Sequence, residues 1–398
     1  MSRENYKVFS PAKISGLVLK NRFVRSATCD YKMAEDGSVT DIVLDIHRNL
    51  AKGGIGMIIT GLMAVSPGGK GVSNQICIFD DKYIAEIAKI AEAVHTVDNN
   101  CAIIAQLCHP GRQLTHENTT AECVGPSSMS SPLLVKKARE LSTREVEIIV
   151  TDFVDAIFRV KQAGFDGVQL HAAHGYLLSS FLSPYTNKRT DCYGGSVKKR
   201  AYIIDEIVGA ARKKVGDFPI LIKLNCDDHV AGGITKETFP ELLKEIADTG
   251  VDAIEVSGGM WDSLVSTEEQ LGFAPVPIPE SRTHIDELDK QSYYYNYVRD
   301  LRLPIKLILV GGNRNIEQME LIIREGYVDF LSLSRPLIAE PNLPDRWLHG
   351  IGSENTHCVS CNACLLFKDE FGCAMKRFKL NRNEFETGYA SGWRAVFK

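Results

Sequence analysis

Long hydrophobic runs are missing from this chain. A helix needs about 18 or more apolar residues in succession to cross a bilayer, and no segment reaches that. The first eight residues are polar and carry both charge signs, so they lack the apolar centre of a secretory signal. An excess of charge of one sign is missing too. The 46 Lys and Arg against 50 Asp and Glu leave a formal net charge of -4. The longest cationic cluster, at 198–200, suits the first turns of a solvated helix, and no basic block calls for a nucleic-acid partner. No G-x-G-x-x-G follows an early strand, which removes the usual mark of an open, doubly wound dinucleotide-binding sheet. No linker or low-complexity stretch divides the chain. The 11 cysteines are an odd number spread along the sequence, so they read as reduced thiols and not as a disulfide framework. The expected location is the cytoplasm.

What is present is a recurrence. Short β-branched runs at 22–28, 55–61, 101–107, 167–173, 219–225, 253–259, 305–312 and 330–335 are each followed by helical periodicity. The runs are almost wholly apolar, as parallel strands covered by helices require. The stretch after the third is the clearest helix. Ser142 and Glu145 have capping-box spacing, and Val146, Ile149, Val150, Phe153, Val154, Ile157 and Val160 share one face. Gly164 stands where the helix must stop. Eight strand–helix units predict one closed (β/α)8 TIM barrel. The expected layout is an N-terminal hairpin opening a barrel over 1–350, with a short cysteine-containing extension over 351–398. Two long connections, 108–141 and 260–291, follow strands and so belong to the C-terminal mouth, where long loops shape a site.

The polar residues gather at that mouth. Strand one ends in Ser26, Ala27, Thr28 and Cys29, strand three in Gln106 and His109, and strand four in His171, His174 and Tyr176. Strand five carries Lys223, strand seven ends in Gly311, Gly312 and Asn313, and strand eight in Ser334 and Arg335. Singly, each has a bland reading: a loop histidine is usually a satisfied residue, and paired glycines usually mark a tight turn. Jointly they place cationic groups and a glycine turn where barrels often bind phosphate, after strands seven and eight. Two histidines and a phenol on one short loop supply oxyanion donors and a proton.

These residues resemble the old yellow enzyme family. The stretch 171–196, HAAHGYLLSSFLSPYTNKRTDCYGGS, is similar to that family's most specific motif. FSPAKI at 9–14 with LKNR at 19–22, Gln106 with HPGR at 109–112, and DFLSLSRP at 329–336 resemble its other signatures. The resemblance implies FMN held non-covalently across the barrel mouth. It implies NAD(P)H as a transient reductant, an enone or enal as the oxidant, and ping-pong hydride transfer between them. Carried over by position, Ser26, Ala27 and Thr28 face the flavin ring, and Cys29 tunes its O4–N5 edge. Gly61 leaves room for the ring, Gln106 binds the pyrimidine edge, and Lys223 lies near N1 and C2=O. Gly312, Asn313, Ser334 and Arg335 hold the phosphate. His171 and His174 bind the substrate carbonyl, Tyr176 protonates carbon, and Tyr31 lines the substrate pocket. Two positions depart from the family: Ala27 stands where many members have Pro, and Ser334 replaces a common Gly.

Cys358, Cys361 and Cys364 have C-x2-C-x2-C spacing, with Cys373 soon after. The pattern resembles the iron–sulfur site of dienoyl-CoA reductase and trimethylamine dehydrogenase, although its last spacing is shorter, and no NAD-binding domain is expected to feed it. A [4Fe–4S] cluster, a structural zinc and free thiols all remain open. The rival function within the fold is an FMN-dependent amine dehydrogenase or demethylase. From other classes come a barrel aldolase or isomerase acting on phosphorylated substrates, with Lys223 as a Schiff-base lysine, and a non-enzymatic flavin-binding role. Small molecules are the expected partners, with self-association into a homo-oligomer compatible with the sequence.

Overall fold

In the computed structural model the described residues are 2–71, 74–114, 121–131, 133, 136–274, 278–365 and 371–384. Eight parallel strands close on themselves: β1 (Phe23–Arg25), β2 (Met57–Ala64), β3 (Ala102–Cys108), β4 (Gly167–Ala172), β5 (Ile220–Asn225), β6 (Ala253–Ser257), β7 (Lys306–Leu309) and β8 (Phe330–Leu333). Each pairs with the next, and β8 pairs with β1, Leu331 opposite Phe23. The barrel is the one the sequence predicts. β2 runs on past its predicted end to Ala64, through a register shift between Ile59 and Leu62. The hairpin forms from Ala12–Ile14 and Leu17–Leu19.

Side chains alternate across each strand, so every second residue points into the barrel. The hairpin's Ile14 and Leu19 join Val24, Met57, Ile59, Ala102, Ile104, Leu221, Ala253, Ile308 and Phe330 in an apolar plug. Continuing the same parity toward the C-terminal ends replaces these with Ser26, Gln106, Lys223, Glu255 and Ser332, all buried. One inward row per strand thus changes from apolar to polar as it approaches the mouth. The other face of the strands meets the helices in a larger core.

The predicted helix after β3 spans Thr143–Gln162. Ser142 and Glu145 form the full capping box, and Val146, Ile149, Phe153, Val154, Ile157 and Val160 are buried. Each such side chain contributes roughly 1.5–3 kcal/mol on burial. Gly164 adopts φ +80°, the left-handed conformation that ends the helix. The sixth repeat departs from strand–helix alternation. Between β6 and β7 the described residues form only the four-residue helix Glu268–Leu271 and short 3-10 turns such as Tyr295–Tyr297. The polar, proline-bearing 260–291 segment has no continuous apolar stripe to dock on the barrel. It folds over the mouth instead. The described residues that follow 351 return to this rim, where the Thr356 amide donates to the Arg314 carbonyl at 2.9 Å. Among the described residues no helix is long and apolar enough to cross a membrane.

Candidate active site

A buried carboxylate that the sequence reading passed over organises the centre of the mouth. Glu255, on β6, is fully buried. Its Oε1 accepts from Ser26 Oγ at 2.8 Å and from Ser332 Oγ at 2.7 Å, while Oε2 accepts from Gln169 Nε2 at 2.9 Å. Lys223 Nζ lies 3.4 Å from Oε2 and donates to Ser26 Oγ at 2.9 Å. Gln169 Oε1 in turn accepts from Gln106 Nε2 at 2.7 Å. The predicted Ser26, Gln106 and Lys223 therefore belong to one network. A charge in an apolar strand was the signal for Lys223, and Glu255 carries the same signal. Lys223 engaged as an ammonium donor disfavours the Schiff-base reading, which needs a free amine.

His171, His174 and Tyr176 come together as predicted. The His171 ring centroid is 4.6 Å from that of Tyr176 and 5.1 Å from that of His174, the two imidazoles edge to face. His174 adopts φ +61°, stabilised by its amide donating to Asn225 Oδ1 at 3.0 Å. Burial, with the Lys223 charge nearby, holds the His171 imidazole well below its ordinary pKa. Burial, His171 and Lys223 do the same to His174. Both rings are thus neutral near pH 7. The Ala173 amide points at His171 Nδ1 at 3.4 Å, which leaves Nε2 as the donor. His174 Nε2 meets Ser257 Oγ at 2.8 Å, and its Nδ1 lies 4.0 Å from Glu280 Oε1. Burial raises the Tyr176 phenol, with further increments from Tyr31, Cys108 and Cys29, so it keeps its proton.

Around this set, burial pushes the Cys29 thiol up to about 11. Tyr31 hydrogen-bonds that thiol, and its own phenol is raised, first by Cys29 and then by burial. Gly61 packs against the strand-one tail: a Cβ there would lie 3.1 Å from the Thr28 carbonyl oxygen and 3.2 Å from Cys29 Cα. Close backbone approach is therefore reason enough for this glycine. Ala27 is partly buried at the same edge.

The phosphate candidates divide. Gly312 has φ +77°, and a Cβ there would strike the Tyr293 ring at 2.7 Å. The Asn313 side chain is fully committed, donating to Leu309 and Ser332 carbonyls and accepting from Ser292 Oγ at 2.8 Å. Its carbonyl accepts from Arg314 Nη1 at 2.8 Å, so among the described residues only its backbone N–H is left for a ligand. Ser334 Oγ meets Thr28 Oγ1 at 2.9 Å. Arg335 is 7% exposed and pairs with no carboxylate among the described residues. Only its Nη1 is engaged, by the Arg282 carbonyl at 3.0 Å and Asn362 Oδ1 at 2.5 Å. A buried guanidinium without a carboxylate partner among the described residues, on a mouth that also carries the Gly311–Gly312 turn and the buried Lys223, fits the phosphate and ring of FMN.

Cys358, Cys361, Cys364 and Cys373 line one cavity of about 20 Å3 together with Arg335 and Asn362. The spacing therefore brought the thiols together, as predicted. They do not converge: no three Cys, His, Asp or Glu side chains among the described residues are placed to hold a metal ion. As placed they do not fit a metal centre, and no chemistry is assigned to one.

Residues 7–354 match the model of a family described as NADH:flavin oxidoreductase / NADH oxidase. An NADH oxidase of Thermoanaerobacter brockii is 37% identical over 358 residues, 89% of this chain and 52% of the relative. The chain thus spans about half the length of that protein. An NADPH dehydrogenase of Bacillus cytotoxicus is 31% identical, over 88% of this chain and 94% of the relative. Among solved structures, a 2-naphthoyl-CoA reductase in complex with 2-naphthoyl-CoA superposes with TM-score 0.82 at 27% identity, covering 96% of this chain and 58% of the other.

Proposed function

The chain belongs to the NADH:flavin oxidoreductase / NADH oxidase family, the FMN-binding old yellow enzyme group, and from that premise we propose that it reduces the activated C=C bond of α,β-unsaturated carbonyl compounds at the expense of NAD(P)H. The observation that carries this reading is the grouping of two neutral imidazoles with a protonated phenol. When bound, FMN supplies two-electron hydride chemistry between the nicotinamide and the alkene. The residues supply everything else. Lys223 would stabilise negative charge at the N1–C2=O edge, and its ammonium is paired with the buried Glu255. Gln106 would read the pyrimidine edge, Ser26, Ala27, Thr28 and Cys29 would line the ring, and Gly312, Ser334, Arg335 and the backbone N–H of Asn313 would hold the phosphate. His171 Nε2 donates to the substrate carbonyl oxygen as it gains charge. His174 would join it through Nδ1, which lies 4.0 Å from Glu280 Oε1. Tyr176 then delivers a proton to the α-carbon, and Tyr31 walls the pocket.

Oxidation of an amine is the second reading. Glu280 favours it, because a carboxylate 4.0 Å from His174 suits an ammonium group. Two imidazole donors and a phenol suit a carbonyl better, and the alkene reading stands first. We assign residues 1–350 to the flavin barrel and 351–398 to an extension, and infer a cytoplasmic setting from the free thiols.

The test separates the half-reactions by stopped-flow absorbance at the flavin band. Flavin reduction by NAD(P)H needs no proton from Tyr176, whereas reoxidation by cyclohexenone does. A positioned general acid contributes about 10²–10⁴-fold, so Tyr176→Phe should slow reoxidation by that factor and leave reduction near normal. Equal slowing of both would make Tyr176 a positioning group, and slowing of neither would remove it from the chemistry.

A further inference from the structure

Loops that adjoin the His171–His174–Tyr176 set in the chain wall a hollow of about 530 Å3. Its walls include Asp227, His229, Ser266, Gln270, Phe273, Arg282 and Tyr297. Both sides are tied to the catalytic group. The His229 loop continues from Asn225, which holds the His174 amide through Oδ1 and the Asp228 carboxylate through Nδ2 at 2.8 Å. Arg282 follows two residues after Glu280, whose carboxylate faces His174.

Two buried nitrogens in this hollow have no partner among the described residues: Arg282 Nε, a donor, and His229 Nε2, which donates to an anion when the ring, with Nδ1 turned to Asp227, carries both protons. Phe273 and Tyr293 clamp the Arg282 guanidinium between their rings, each centroid 4.1 Å from Cζ. No oxygen of the described residues accepts from it, and its Nε is buried without a partner. The His229 side chain is 9% exposed, and its Nε2 is buried and also without a partner. The ring is nonetheless held: Nδ1 lies 3.3 Å from Asp227 Oδ1, and the residue takes φ +55°. The one carboxylate in the wall is already occupied. Asp227 Oδ1 accepts from the His229 amide at 2.7 Å, and Oδ2 accepts from Tyr297 Oη at 3.0 Å. A buried donor without an acceptor is costly, and a guanidinium fixed by stacking on both faces presents its edge for planar oxyanion recognition.

We propose that this hollow is an oxyanion subsite, in which Arg282 and His229 hold a phosphate or carboxylate group of a reactant whose reacting end lies at His171 and His174. The proposal rests on the flavin reading above. Its ligand has two sources of the same chemistry: the phosphates of the nicotinamide dinucleotide, or an acidic tail on the alkene. The Asp227–His229 pair positions the ring, and Gln270 and Ser266 are at hand for the remaining oxygens.

The experiment uses the FMN-loaded protein, Arg282→Gln and, as an independent second variant, His229→Ala. Inorganic pyrophosphate is titrated by calorimetry, and both half-reactions are followed by stopped flow. Pyrophosphate should bind the unaltered protein and bind each variant at least tenfold more weakly, the size expected for one charge-assisted hydrogen bond. Flavin content and reoxidation by neutral cyclohexenone should not change. A tenfold rise in the half-saturating concentration of NADH and NADPH alike assigns the site to the pyrophosphate. A rise for NADPH alone assigns it to the 2′-phosphate. A rise only for the acidic enone acetylacrylate assigns it to a substrate carboxylate. If pyrophosphate binds wild type and variants alike, or none of the three reactants is affected, the proposal is overturned. If neither nucleotide reduces the flavin, the reductase reading fails instead, and the calorimetry still judges the subsite.

Discussion

Replacing Glu255 by Gln removes a carboxylate that no solvent reaches while leaving its shape. At the 3.4 Å separation from Lys223 Nζ, an effective dielectric of about 20 gives an attraction of about 5 kcal/mol. Breaking one partner of a buried pair is generally found to cost about 3–5 kcal/mol, because the remaining charge is stranded. The amide also offers a donor where Ser26, Gln169 and Ser332 now find only acceptors. Urea denaturation of the flavin-stripped protein is therefore expected to show Glu255→Gln destabilised by about 3–5 kcal/mol. Stripping matters, because a ligand that binds only the native state would mask part of the loss. The double variant Lys223→Met/Glu255→Gln has no stranded ammonium and should recover about 2–3 kcal/mol relative to the sum of the singles. Additivity within about 0.5 kcal/mol would refute the argument, since it would mean that the two groups do not stabilise one another.

Arg335→Ala should release most of the FMN on purification, and Asn362→Ala, which frees the Nη1 that Asn362 now anchors, should weaken FMN binding about tenfold; unchanged flavin content in both would remove Arg335 from the phosphate site. His109, His171 and His174 are all held below the unfolded imidazole value by burial, His109 to about 4. Their folded forms stay neutral while the unfolded chain gains protons, so the stability they confer is intact above about pH 6.5 and is lost as pH falls below it. The slope is about 1.4 kcal/mol per unit for each group, or about 4 for three, and urea midpoints that stay flat from about pH 6.5 to 5 would contradict it. Because hydride transfer moves two electrons together and needs no relay, Cys361→Ser should leave both half-reactions within about twofold; a tenfold loss would place a redox centre among the four cysteines.

The sequence alone determined the barrel, because each strand's β-branched run and each helix's stripe is a local property with its own period. Capping at Ser142 and Glu145 and the stop at Gly164 are equally local, and they formed as written. The sequence also determined that His171, His174 and Tyr176 would meet, since they share one short loop. The tertiary structure decided the rest, because it depended on residues far apart in the chain. Glu255 gained its meaning only when closure of the barrel placed it against Ser26, Gln169, Lys223 and Ser332. Asn313, named for a phosphate, proved to spend its side chain on β7, β8 and Ser292. The sixth repeat lacks an apolar stripe to dock a full helix, and that same departure carries Glu280 to His174 and Arg282 to the hollow that His229 lines. The C-x2-C-x2-C spacing could place four thiols around one cavity, but whether their sulfurs point to a common centre depends on backbone turns that spacing does not specify.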